Sequence, residues 1–233
     1  MTQNIIKKRD VFWVSISGLM LCGIIFFWTN IVNLYLTLIS IIGLISYTYF
    51  KRKWWGGPFY NAAIVVILCL IGFFCSSYTL KEVENVWFIL GTVFFGYANF
   101  VLVGYFKDIS ADKTTGYNTL PVVFGRKIAA IVSTIFAILT AIFALLAINP
   151  SRFTISLLFY FAGLLFIILT QIKIFKIKKD EEAHVAIKCS LHSYILLLSA
   201  MIAHFKESWV FFLVLFYIEP FSLTKFSYNK INR

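Results

Sequence analysis

Charge is what this chain has least of. Asp, Glu, Lys and Arg make up 13% of its 233 residues, and 61% are hydrophobic. A soluble domain carries roughly 25% charged residues, so a water-soluble globular protein is excluded. Acid is scarcer than base, with 10 Asp and Glu against 21 Lys and Arg. Strands of alternating polarity, ~10 residues each, are absent, which excludes a membrane β-barrel. No fixed-period repeat or long linker divides the chain, so one domain is expected over residues 1–233. The four cysteines (Cys22, Cys69, Cys75 and Cys189) form no CxxC pair and read as small buried hydrophobes, not a disulfide framework. His184, His192 and His204 share no i,i+4 spacing and no HExxH pattern occurs, so no zinc site is expected. His192 and His204 read as helix-packing or interface residues. No small-residue cleavage site follows the first apolar run, so no cleavable signal peptide is expected.

What the chain does have is apolar runs in blocks, at residues 11–28, 31–50, 60–76, 87–104, 127–147, 153–173, 188–204 and 208–221. Most reach the ~17–25 residues that cross a bilayer as a helix. The last is short and is expected to be a partial span or an interfacial segment. A spanning backbone must satisfy its own hydrogen bonds. The expected fold is therefore all-α: a polytopic membrane bundle of about 7–8 transmembrane helices.

The net charge of +11 would suit nucleic acid, but its distribution points to membrane topology. With the N-terminus on side one, 18 of the lysines and arginines fall on that side, and only Lys81, Arg152 and Lys206 on the other. This is the positive-inside pattern, with side one cytoplasmic and anionic lipid as its partner. A nucleic-acid partner is not required, and both termini and the loops at 51–59, 105–126 and 174–187 are expected in the cytoplasm of a multi-pass protein of the cell's inner membrane.

Three loops on side one carry the informative residues. In YTYFKRKWWGGPFY (47–60), Tyr47 and Lys51 are one helical turn apart and share a face. The lysines and aromatics of this stretch also fit ordinary membrane-interface anchors, and the Gly-Gly-Pro that follows reads as a helix break. In YFKDISADKTTGYNTLPVVFGRK (105–127), Asp108 and Asp112 lie i,i+4 just past an apolar span, where like charges disfavour a helix. A divalent cation reverses that penalty. Magnesium prefers oxygen and takes one or two carboxylates together with substrate phosphates and water. Lys107 and Lys113 flank the acids and suit phosphate charge. In the third loop (173–188), Asp180-Glu181-Glu182 has no metal-ligand spacing and reads as a solvated helix start. Two spans separate the first two loops, so they share a membrane face, and ionisable groups at the rim of a bundle are candidates for function. The chemistry suggested is an anionic head group, a diphosphate, with an apolar tail in the bundle.

These residues carry a family resemblance. KDISADKTTGYNTLPVVFG resembles the second Asp-rich motif of the UbiA superfamily of intramembrane prenyltransferases. The motif is DxxxD, then Gly, a Thr-Leu-Pro turn and Gly, here Asp108, Asp112, Gly116, Thr119, Leu120, Pro121 and Gly125. YTYFK at 47–51 is similar to the family's YxxxK motif. The resemblance covers roughly residues 11 to 204. It implies a horseshoe of helices around a central cavity open to lipid, and magnesium binding an isoprenyl diphosphate. The allylic cation formed from it would be attacked by a lipophilic acceptor. Acceptors in the family include 4-hydroxybenzoate, naphthoates, homogentisate, haem, chlorophyllide and glycerol phosphate ethers. On this resemblance Asp108 and Asp112 hold metal or diphosphate, Lys51 contacts the diphosphate, and Tyr47 lies near the allylic cation or its leaving group.

The family's first motif, of NDxxDxxxD type, does not occur in residues 1–233. Two leading helices and half of the metal site are therefore expected from elsewhere, as in a truncated or split enzyme whose partner helices complete it. The competing reading is a non-catalytic, lipid-binding subunit of the same fold. A small transporter is disfavoured because the span interiors are nearly free of charge.

Overall fold

The computed structural model describes residues 7–76, 79–80, 84–150 and 154–218, and no strand occurs among them. Eight α-helices run in order: α1 (Lys8–Thr29), α2 (Ile31–Phe50), α3 (Gly56–Phe74), α4 (Val86–Gly104), α5 (Ile109–Thr114), α6 (Leu120–Ile148), α7 (Ile155–Ile174) and α8 (Ala183–Phe205). All but the short α5 belong to the seven spans long and apolar enough to cross a membrane. The eighth expected segment is a shorter apolar helix, Glu207–Ile218, with residues 219–221 outside the described residues. The all-α polytopic bundle expected from the apolar blocks is the fold observed.

Polarity is distributed for lipid. Trp28, Ile45, Val14 and Trp87 are 70–84% exposed, whereas the residues α2 buries are Asn33, Thr37, Ser40 and Gly43. Between membrane helices there is no hydrophobic driving force, because lipid tails are as apolar as leucine. Close backbone approach and interhelical hydrogen bonds hold them together. At the centre of the bundle, Ser133 Oγ donates to Asn99 Oδ1 at 2.7 Å and Thr134 Oγ1 to Gln171 Oε1 at 2.9 Å, tying α4, α6 and α7. Cys22 and Cys75 are exposed, correcting their reading as buried; the Cys75 thiol meets Thr29 and Asn33.

Packing follows chain order from α1 to α4. Helix α4 then meets both α6 and α8, with α7 between those two. Helices α1–α3 thus extend as an arc from a four-helix group, and α1 buries no residue.

Two helix starts differ from the sequence reading. Helix α3 begins at Gly56, so Gly-Gly-Pro forms its first turn instead of a break; proline's missing N–H is harmless there, where no helical acceptor exists. Helix α6 begins at Leu120 with Pro121 in its first turn, and is interrupted at Gly125 (φ 81°, ψ 166°), a conformation open essentially only to glycine. Helix α8 follows a 3-10 turn over Asp180–Glu182, the helix start expected there; the loop before it is mostly exposed, but Ile174, Ile177 and Ala183 join Phe106 and Ile109 in one core cluster.

Candidate functional site

The three loops of side one meet at one end of the bundle. Loop one touches loop two through its backbone, with the Asn118 N–H donating to the Arg52 carbonyl at 2.8 Å. The Tyr117 ring lies beneath the Lys51 ammonium at 5.6 Å and the Arg52 guanidinium at 5.3 Å, and the Trp54 and Phe124 rings meet at 5.3 Å. Loop three touches loop two through Asp180, which accepts the Ser110 N–H at 2.7 Å and pairs with Arg126.

The two acids of the DxxxD motif are not equivalent. Asp108 is the N-cap of α5, exposed, and its side chain makes no capping bond. Asp112 lies within α5 and is 7% exposed. The helix that carries them ends in a Schellman turn: the Tyr117 N–H reaches the Asp112 carbonyl at 2.8 Å, with Gly116 at φ 72° supplying the left-handed residue. That turn brings Thr119 back to Asp112, and the Thr119 Oγ1 donates to Asp112 Oδ2 at 3.0 Å. Thr119 is also the N-cap of α6, but its hydroxyl does not cap that helix. It is spent on the acid. Burial pushes the Asp112 carboxyl above its ordinary value; the Thr119 bond opposes this, the Asp108 and Asp180 charges add to it and Lys51 counters it.

Tyr47 and Lys51 occupy the last turn of α2, with the Lys51 N–H donating to the Tyr47 carbonyl at 2.7 Å. Lys51 is the lysine whose charge acts on Asp112. Lys107 and Lys113 are exposed, and the ion pair seen among the described residues is Arg126–Asp180. The Tyr47 hydroxyl interacts with that of Tyr105, and Tyr105 Oη is buried. A Cβ on Gly57 would sit 1.8 Å from that oxygen, so the glycine of loop one makes room for a tyrosine of loop two. The sequence singles out neither Tyr105 nor Tyr117, and it reads Asp180 as part of a solvated helix start. The Asp180 side chain is only 11% exposed, because it reaches both Ser110 and Arg126.

Beneath this end the bundle turns apolar. Tyr97 neighbours Tyr47, and its ring lies 6.0 Å from that of Tyr194. Tyr194 lines a cavity of about 710 Å³ between α3, α4 and α8, walled by Cys69, Val93, Leu198 and Met201 and reaching Lys206 and Trp209. This cavity occupies the half of the bundle away from the acids. A file of tyrosines joins the two.

A polytopic helical membrane protein with a charged, three-loop cap on an apolar bundle is the class these observations define. The chain matches the model of the UbiA prenyltransferase family over residues 1–194, and it belongs to that family. Its fold is similar to a solved structure described as the apo structure of a UbiA homolog from Aeropyrum pernix K1, at TM-score 0.67 and 17% identity, covering 86% of this chain and 74% of that one. No curated protein sequence matches the chain.

The magnesium that the family implies can be tested against the donors present. Among the described residues no group of three or more His, Cys, Asp or Glu side chains could hold a metal, so an all-protein cage is excluded there. Two hard carboxylates do fit an ion that keeps substrate oxygens and water. Asp112 already commits one oxygen to Thr119, leaving the other for a ligand.

Proposed function

We propose that this chain binds an isoprenyl diphosphate at its three-loop end and takes part in transferring the isoprenyl group to a lipophilic acceptor, aromatic or other. The observation that carries the reading is the nearly buried Asp112 carboxylate, held by Thr119 and acted on by the Lys51 charge from the YxxxK helix. Burying a carboxylate beside other acids is costly unless a cation neutralises it. Asp108 and Asp112 would hold magnesium, which supplies positive charge for a departing diphosphate when bound. Lys51 would face the diphosphate, with Lys107 and Lys113 at the exposed rim. Tyr47 and Tyr97 would border the allylic carbon, and the apolar half below would receive the chain. Departure of a diphosphate builds negative charge, so rate depends on cationic groups already in place.

Residues 1–233 carry one acidic motif. That favours the second reading, in which the chain supplies one side of a site completed by helices bearing an NDxxDxxxD motif, or serves as a non-catalytic lipid-binding subunit. The test is prenyl transfer in membranes, using labelled farnesyl or geranylgeranyl diphosphate and a panel of aromatic acceptors. Weak or no turnover is expected from the 233 residues alone, and activity when a two-helix segment carrying NDxxDxxxD is added in cis or in trans. Robust turnover by the chain alone, lost in Asp108→Ala, would show that one motif suffices. Absence of any magnesium-dependent diphosphate binding would sink the metal-site assignment. The three-loop end faces the cytoplasm on this reading; strong labelling of a Lys113→Cys variant by an impermeant external reagent would reverse it.

A further inference from the structure

The geometry points to Asp180, on the loop before α8, as a positioning residue that fixes the acidic helix α5 against α6. Both its oxygens are committed. One accepts the Ser110 N–H at 2.7 Å, in the first turn of α5; the other pairs with Arg126, just past the interruption at Gly125 in α6. A six-residue helix is far too short to hold itself together in water, so α5 depends on such ties. Its other ties run to its C-terminal side: Thr119 to the Asp112 side chain and Asn118 to Arg52. At its N-terminal side, where Asp108 sits at the N-cap position without a capping bond, the polar tie is Asp180. A carboxylate there also complements the unsatisfied N–H groups of the first turn.

Loop three is built to present this one side chain. The Glu182 carboxylate accepts the Lys178 and Lys179 N–H groups at 2.8 and 3.3 Å, closing the turn. Ile174, Ile177 and Ala183 anchor the turn in the same cluster as Phe106 and Ile109. The result is a rigid strut from the end of α7 to the segment that spaces Asp108 from Asp112. Charged partners that orient metal-binding side chains from behind typically alter metal affinity when removed.

This inference rests on the proposed diphosphate reading for its consequence but not for its geometry, and the experiment separates the two. The full chain in lipid nanodiscs is compared with Asp180→Ala, Asp180→Asn and Arg126→Gln. Amide hydrogen exchange is followed at residues 109–115 and, as control, in α4. The magnesium concentration for half-maximal farnesyl diphosphate binding is measured alongside. Asp180→Ala is expected to speed exchange at 109–115 by about tenfold or more without changing α4, and to raise the magnesium midpoint about ten- to a hundredfold. Asp180→Asn keeps an acceptor for Ser110 and should recover most of the exchange protection but only part of the midpoint. Arg126→Gln should act in the same direction and more weakly. Unchanged exchange at 109–115, equal acceleration in α4, or faster exchange with an unchanged midpoint would each overturn the positioning role. If the wild-type chain binds no diphosphate, the functional reading fails by itself, and the exchange pattern alone decides whether Asp180 fixes α5.

Discussion

The two halves of the bundle are held together by opposite means. At the three-loop end, contacts are directional: Asp112 with Thr119, Asp180 with Ser110 and Arg126, Asn118 with Arg52. In the far half, α3, α4 and α8 line an apolar space of about 710 Å³. One half fixes charged groups where an anion's position matters. The other leaves room where only bulk and greasiness matter. Variants at the loop end should therefore affect every diphosphate alike, and variants in the cavity should discriminate by chain length.

The largest effect is expected at Asp112. Asp112→Asn keeps the shape and removes the charge, and should lower magnesium-dependent diphosphate binding by at least about a hundredfold, the upper end of what loss of a supporting partner costs. Isothermal titration with farnesyl diphosphate and with a short allylic diphosphate should show the same loss for both. A loss confined to the longer substrate would undo the division between the halves.

Next comes the contact between loops one and two. Gly57→Ala places a methyl group 1.8 Å from Tyr105 Oη, an overpacking worth about 1–3 kcal/mol. Thermal unfolding should show a lowered Tm. Adding Tyr105→Phe removes the oxygen and should recover part of the loss, since the ring carbon behind it would still lie 2.7 Å from the new atom. Tyr105→Phe alone should cost about 1 kcal/mol or less, because the buried hydroxyl it deletes has the Tyr47 hydroxyl as its polar neighbour. A large destabilisation by Tyr105→Phe would mean that the hydroxyl has a role this packing does not show.

A smaller effect is expected at Thr119, and it depends on pH. Burial raises the Asp112 carboxyl and the Thr119 hydroxyl lowers it. Magnesium binds the ionised form, so binding should fade as pH drops through a midpoint above the ordinary carboxylate value of ~3.9. Thr119→Val removes the stabilising donor, so that midpoint should move to still higher pH. Binding should fall several-fold in mildly acidic buffer and little near neutrality. A shift to lower pH would contradict the assigned direction of the bond.

The smallest effect belongs to the cavity. Val93→Trp or Leu198→Trp should fill part of it, weakening geranylgeranyl diphosphate severalfold while leaving a short allylic diphosphate nearly unchanged, by analogy with the cost of an overfilled apolar site. Equal loss for both lengths would place the chain elsewhere.

Much of this was legible in the residues themselves. Long uncharged runs can only be membrane helices, because lipid offers the backbone no partners. Against that background Asp108 and Asp112 stand out through local spacing, and Tyr47 and Lys51 through the family resemblance. The tertiary structure decided what depends on the residue across a gap. Nothing near Gly57 in the chain announces that Tyr105 needs its space. Nothing near Thr119, a good helix cap by type, says that its hydroxyl serves Asp112 instead. Asp180 looked solvated because its neighbours are charged. It is largely covered because Ser110 and Arg126, distant in sequence, arrive beside it when the three loops close over the bundle. Periodicity and composition report which solvent a segment prefers, and that follows from each side chain separately. Which two polar groups meet is set by how the helices pack, and that is a property of the whole bundle.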